Sequence, residues 1–489
     1  MNINTLQKYV LPLGFLVAVF LPRLIDLGTV LTVDEPLWLS RGQTFIQGFS
    51  VGNFEKTLVA GQPGVTTAWL VGLSAPWASL TAGQIAIATT SGVLVLIITY
   101  FLRILIGKKW GLITGFFLAL DPFLIAHSRI VHTDALLSLF YLASITSLLC
   151  AVIPKTLHQR YVIMSAILAG AALLTKIFGL ILIPTAVLII IIARWHKKDD
   201  WARIARMVGL WISIFLITTF AAWPALWSNA DKVFDYLFSR AELHGEGTRS
   251  EETTSASWYY ARETFFRLSL PVALLSPFAI WQLAKKNKSK HAIAALYILG
   301  TGLFFIVALN TGSDKSDRYA LLTHLTVATV APLGLRGIVQ TLKKRSNQNP
   351  WASLIIVIPI LFLAVDAIRI HPYYLAHFNR LYPIEETHKL GWGEGLEQAA
   401  LWIENNHPGS KVLSYYPRVF SYFYKGEVET VTHINDAQGD YAVLYRSMFE
   451  RGDGTPESDI VSEFINDKTK KLVRTITING LPYVWIYEL

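Results

Sequence analysis

The chain of 489 residues contains a single cysteine, Cys150, so no disulfide can form within it and a paired-thiol redox centre is excluded. Charge is scarce too. Asp, Glu, Lys and Arg make up 16% of the residues, against roughly 25% in soluble domains. A P-loop, a dinucleotide-binding glycine fingerprint, an HExxH pair and a CxxC pair are all missing, and with them the local signatures of nucleotide and zinc chemistry. There is no internal repeat and no low-complexity stretch. What fills the chain instead is apolar: hydrophobic residues account for 53% and the mean hydropathy is +0.42. These residues gather in blocks of about twenty, the length that crosses a hydrocarbon core of ~30 Å. A multi-pass membrane protein is the reading that follows.

The formal charge of +9 could suggest nucleic acid, but the basic residues form short clusters between apolar blocks. That is the pattern of cytoplasmic loops, and nucleic-acid binding is not expected. Candidate spans begin with a retained first span at Tyr9–Leu27 and continue through 85–106, 110–126, 135–153, 161–174, 177–193, 207–224, 268–284, 292–309, 320–340 and 351–370. Residues 64–80 read as an interfacial or re-entrant helix, and 225–265 as a long polar loop. This path of about eleven spans puts every dense Lys/Arg cluster (108–109, 155–160, 194–206, 285–290 and 343–345) on one side. That side is then cytoplasmic, together with the N-terminus. Beyond His371 the composition changes to that of a small α/β domain, with a helical pattern over 395–405 and strand-like runs at 411–415, 441–446 and 472–487. The expected organisation is a transmembrane domain over 1–370 and an extracytoplasmic domain over 371–489, in a cell membrane.

The unusual polar residues converge on the extracytoplasmic side. Asp34 and Glu35 follow the first span; as an isolated pair they would read as a helix cap. The segment DPFLIAHSRIVHTDA gathers Asp121, His127, Arg129, His132 and Asp134 at a helix junction, where charge is costly and serves a pairing, a pathway or a site. An Arg129–Asp134 ion pair is the structural alternative there. Lys176 stands alone between two apolar segments and could simply snorkel. Lys315, Asp317, Arg318 and Tyr319 lie in a short loop between two spans. Taken together, these groups offer carboxylates and cations around one cavity. Cations suit the phosphate of a lipid carrier, with Arg giving a two-pronged grip. A carboxylate beside them could accept the proton of an acceptor hydroxyl. Zinc ligation by His127 and His132 lacks a third ligand at a persuasive spacing, although a divalent metal is left open.

The order of these motifs resembles the protein O-mannosyltransferase family (glycosyltransferase family 39) and its relative, the lipid A aminoarabinose transferase, both of the GT-C class. The resemblance is carried by Asp34-Glu35, the turn Gln62-Pro63-Gly64-Val65, HSRIVHTDA, LLTK with Lys176, KSDRY, and HPYYLAHFNRLYP followed by GWGEGLEQA. It covers most of residues 1–400. It implies a GT-C membrane domain that transfers a sugar, such as mannose, from a polyprenyl-phosphate donor to an acceptor hydroxyl on a protein, glycan or lipid. Inversion at the anomeric carbon would follow from a single displacement. By resemblance Asp34 is the catalytic base with Glu35 beside it. Arg129, Lys176, Lys315 and Arg318 are candidates for the donor phosphate, and Asp134, His132 and Tyr319 are supporting residues, with Asp134 ordering Arg129. Gln62 stands where many relatives have His, and the C-terminal region does not look like a β-trefoil. A transporter would instead distribute polar residues through the depth of the spans, or show broken helices in two related halves.

Overall fold

The computed structural model describes all residues except 1–2, 61–62, 75–78, 246–257, 286–288, 311–314, 346–350, 382–389, 437, 451–453 and 468. Among the described residues, six helices are long and apolar enough to cross a bilayer: Leu80–Ile106, Asp134–Val152, Ile177–Trp195, Trp201–Ala222, Lys290–Asn310 and Asp317–Leu342. Shorter apolar helices are Val10–Leu24, Gln159–Thr175 and Leu270–Lys285, and Trp351–Ile370 precedes the C-terminal region. Helix Asp134–Val152 is the central post, with 94% of its apolar window buried. At the periphery, helix Trp201–Ala222 has only 28% of its window buried, and Leu216, Ile217 and Phe220 point outward. Such apolar faces are stable only against lipid or another protein.

The expected crossing at 110–126 is a broken helix: Lys108–Ala119 and Pro122–Ser128 meet at 63°. The cause is local. Pro122 lacks an N–H and occupies the first turn of the new helix, while the Asp121 carboxylate accepts from Leu124 N at 2.9 Å as its cap. The carbonyls left at the break are met by the buried Arg23, which donates to Ala119 O at 2.8 Å and Leu118 O at 3.4 Å. A second break falls at Lys176, where helix Gln159–Thr175 ends and a 3-10 turn, Ile177–Ile181, starts the next span. Residues 225–265, expected as a polar loop, instead hold helix Ala230–Gly245 and the start of helix Tyr259–Arg267. Apolar segment 64–80 gives the nine-residue helix Val65–Leu73, too short to span.

At one end of the bundle lies a mixed five-stranded sheet of order β2-β1-β3-β5-β4: β1 (Val412–Ser414), β2 (Val428–Thr430), β3 (Tyr441–Tyr445), β4 (Lys471–Ile478) and β5 (Leu481–Glu488). β1 is parallel to β2 and β3; β5 is antiparallel to β3 and β4. The β4–β5 hairpin turns on Asn479-Gly480, both at positive φ, the pair such tight turns demand. The sheet's core does not stop at the domain boundary. Leu31, Leu80 and Phe266 are buried in the same cluster as Leu396, Ile403, Val443 and Ile486. This docking fixes the sheet region against the loops that carry the polar residues.

Candidate active site

Asp34 stands at the N-cap position of helix Glu35–Ser50, yet its side chain makes no capping hydrogen bond. The carboxylate turns away, and Arg318 Nη1 donates to its Oδ2 at 3.2 Å, with His132 Nε2 3.5 Å from the same oxygen. With 34% of its side chain exposed, Asp34 is the accessible acid of the group. Burial pushes this carboxyl up, but His132 and Arg318 outweigh that and hold it below the ordinary Asp value.

Behind Asp34 lies Asp134, the first residue of the central helix and only 3% exposed. Its Oδ1 accepts from Lys176 Nζ at 2.7 Å, and its Oδ2 lies 2.9 Å from His132 Nδ1 and 3.7 Å from Arg318 Nε. His132 therefore sits between the two carboxylates, one ring nitrogen toward each. Lys176, 1% exposed, lies over the Tyr319 ring at 4.1 Å and sets the charge of the cluster from within. Trp392 caps the assembly: the Arg318 guanidinium lies 4.6 Å from its ring centroid, and His132 meets it edge-on at 4.9 Å.

The other expected site residues lie elsewhere. Glu35 is fully buried and accepts from Thr32 N (2.7 Å), Thr32 Oγ1 (3.1 Å), Gln84 Nε2 (2.8 Å) and Val131 N (2.9 Å). It is a clamp joining three segments, and burial raises its carboxyl despite these four bonds. The expected Arg129–Asp134 pairing is corrected. Arg129 donates to Pro22 O and Ile25 O, both at 2.7 Å, and to Asp26 O at 3.2 Å, closing the carbonyl end of the first helix. Lys315 is buried three residues ahead of Arg318. Asp121 pairs with His324 Nε2 at 2.9 Å, both completely buried. Gln62 lies outside the described residues. Its neighbour Gly64, at φ 61°, packs so closely on Trp38 that a Cβ would come within 2.6 Å of the indole. No group of three His, Cys, Asp or Glu among the described residues is placed to hold a metal ion.

Two contributors were given no site role by the sequence. Arg267, fully interior at the end of helix Tyr259–Arg267, donates to Leu375 O (2.9 Å), His377 O (2.6 Å) and Asp317, and so ties the residue before Arg318 to the C-terminal region. Trp392 lies in GWGEG, where an aromatic between glycines was the available signal.

Residues 65–223 match the family model described as Dolichyl-phosphate-mannose-protein mannosyltransferase. No curated protein matches the chain. Among solved structures, ArnT from Cupriavidus metallidurans bound to undecaprenyl phosphate superposes with TM-score 0.55 at 12% identity, covering 98% of each chain. Its apo form gives TM-score 0.54 at 13% identity, over 99% of this chain and 98% of that one. The apo Archaeoglobus fulgidus oligosaccharyltransferase gives 0.49 at 13%, over 92% and 72%. The superposition on ArnT gives the fold class: a polytopic helical bundle of the GT-C type with a small C-terminal sheet. Within that class, a third of the chain follows the pattern of the dolichyl-phosphate-mannose-dependent protein mannosyltransferases.

Proposed function

We propose that this protein transfers a sugar, such as mannose, from a polyprenyl-phosphate carrier to an acceptor hydroxyl at the extracytoplasmic face of the membrane. Residues 1–370 form the catalytic membrane domain in this reading, and 371–489 the outer domain. The observation that carries it is the pairing of a half-buried, ionised Asp34 with Arg318 at 3.2 Å, beside a buried Asp134–Lys176 pair. Asp34 accepts the acceptor's proton as its oxygen attacks the anomeric carbon. The carrier phosphate leaves with the bonding electrons, and one in-line displacement inverts that carbon. Arg318 faces the charge that develops on the phosphate. Lys176 neutralises Asp134 from within, which leaves Arg318's charge to be shared between Asp34 and the donor. His132 keeps the two carboxylates apart.

The ArnT structure is bound to undecaprenyl phosphate, which supports a carrier of the polyprenyl phosphate class. A lipid or glycan acceptor is the second reading. It is favoured by the near end-to-end agreement with ArnT, which includes the C-terminal region. Purified protein incubated with a panel of polyprenyl-phosphate sugars in lipid should consume one of them in the presence of its acceptor. The Asp34→Asn variant should insert normally and consume none. Turnover near the wild-type rate in that variant removes Asp34 from the role of base.

A further inference from the structure

The loop that holds Trp392 is fixed at both ends by buried acceptors. Leu390 N donates to Glu450 Oε2 at 2.8 Å, Trp392 N to Glu394 Oε2 at 2.5 Å, Gly393 N to the Tyr445 hydroxyl at 2.8 Å and Gly395 N to Glu397 Oε2 at 3.0 Å. All four acceptors belong to the C-terminal region. On its other side the loop is bonded to the segment that carries Asp34: Val33 N donates to Trp392 O at 3.0 Å. Gly393, at φ 125°, permits this approach, since a Cβ there would lie 2.5 Å from Leu31 O. The indole is thereby presented to Arg318 by a rigid frame. Arg318 needs such support. Its remaining neighbours are Asp34 at 3.2 Å, Asp134 at 3.7 Å and the Tyr319 ring at 5.7 Å, and no backbone carbonyl among the described residues receives its guanidinium. A guanidinium laid on an indole face keeps its plane, and with it the direction of its two-pronged edge.

We propose that Trp392 is a positioning residue for Arg318, so that the C-terminal domain completes the phosphate-facing part of the membrane site. Trp392 does not touch the reacting atoms. It holds the guanidinium in the plane from which it can exchange Asp34 for a phosphate oxygen, which lowers the ordering cost of binding. This inference rests on the reading of Arg318 as the contact for the donor's phosphate.

The test uses the full chain in lipid nanodiscs and undecaprenyl phosphate as the probe. Trp392→Leu and Trp392→Phe both lose volume, but only the phenylalanine keeps a π face. The leucine variant should bind the probe about fivefold more weakly, and the phenylalanine variant within about twofold of wild type. Arg318→Ala should weaken binding at least as much as Trp392→Leu, and adding Trp392→Leu to Arg318→Ala should cost nothing more. A merely structural role would give equal losses in the Leu and Phe variants, or additive losses in the double variant, and either result overturns the proposal. Wild-type binding by Arg318→Ala would instead defeat the phosphate reading itself, and the role of Trp392 with it.

Discussion

Two carboxylates, each beside a basic partner, flank the short helix Pro122–Ser128, and they differ in what surrounds them. At its start, Asp121 and His324 are both 0% exposed, 2.9 Å apart, with the carboxylate also capping the helix. Past its other end, Asp34 and Arg318 are 34% and 23% exposed, 3.2 Å apart, and Asp34 caps nothing. The first pair is a brace: its acceptors are spent on structure and no solute can reach them. The second leaves a partly exposed carboxylate, with its cation shared between two acids. Composition alone does not separate the two. What separates them is the number of fixed partners each charge has and whether the site is open.

The sharpest way to break the comparison is to neutralise each acid. Asp34→Asn should lower sugar transfer at least about 100-fold, as loss of a general base does, with the melting temperature nearly unchanged. Asp121→Asn should do the opposite. It replaces an acceptor of the fully buried His324 contact with an amide, so stability should fall by about 3 kcal/mol, while any folded protein still turns over. Reversal of these outcomes would mean that site and brace have been exchanged. Thermal melts and transfer assays on both variants decide it.

Next in size is Glu35, which shares a sequence pair with Asp34 but belongs with the brace. Glu35→Gln puts an amide N–H₂ among donors that all need an acceptor, which costs roughly 1–3 kcal/mol of stability. A loss of turnover beyond the loss of folded protein would place Glu35 in the chemistry. Arg129→Lys should be milder still, because a lysine can reach one or two of the carbonyls at the end of the first helix but not all three; a drop of about 1 kcal/mol in stability with unchanged undecaprenyl phosphate binding is expected.

A further effect concerns pH. Burial pushes Glu397 up to about 7, against hydrogen bonds from Tyr373 and Gly395. Its folded value lies above its unfolded one, so its stabilising contribution is complete below about pH 4.5 and is lost as pH rises through about 7. The C-terminal region should therefore melt at a lower temperature at pH 8 than at pH 5, by a few degrees. Glu397→Gln should flatten that dependence; an unchanged slope would assign it to other groups.

Much of the bundle was legible because lipid imposes a coarse code. The pair of spans expected at 161–174 and 177–193, hinged at Thr175-Lys176, are helices Gln159–Thr175 and Ile177–Trp195. Hydropathy gave no warning of the 63° break at Asp121-Pro122, since both halves are apolar. The helix Ala230–Gly245 hid in a segment whose charge suggested a loop. Within HSRIVHTDA, no linear cue divides Arg129 from Asp134. The turn between Ser128 and Asp134 sends Arg129 to the first helix and His132 and Asp134 to the cluster. Trp392 was unreadable as a neighbour of Arg318 because the contact depends on how the sheet region docks.

The bond from Val33 to Trp392 joins segments about 360 residues apart in the chain. At about 5–20 residues per second, translation reaches Asp34 tens of seconds before the tryptophan. For many seconds the nascent protein thus has its acid in place but not the indole that steadies Arg318. On the proposed reading, a half-inserted chain is a poor catalyst, and full competence for transfer arrives only when the sheet region has folded back onto the first loop.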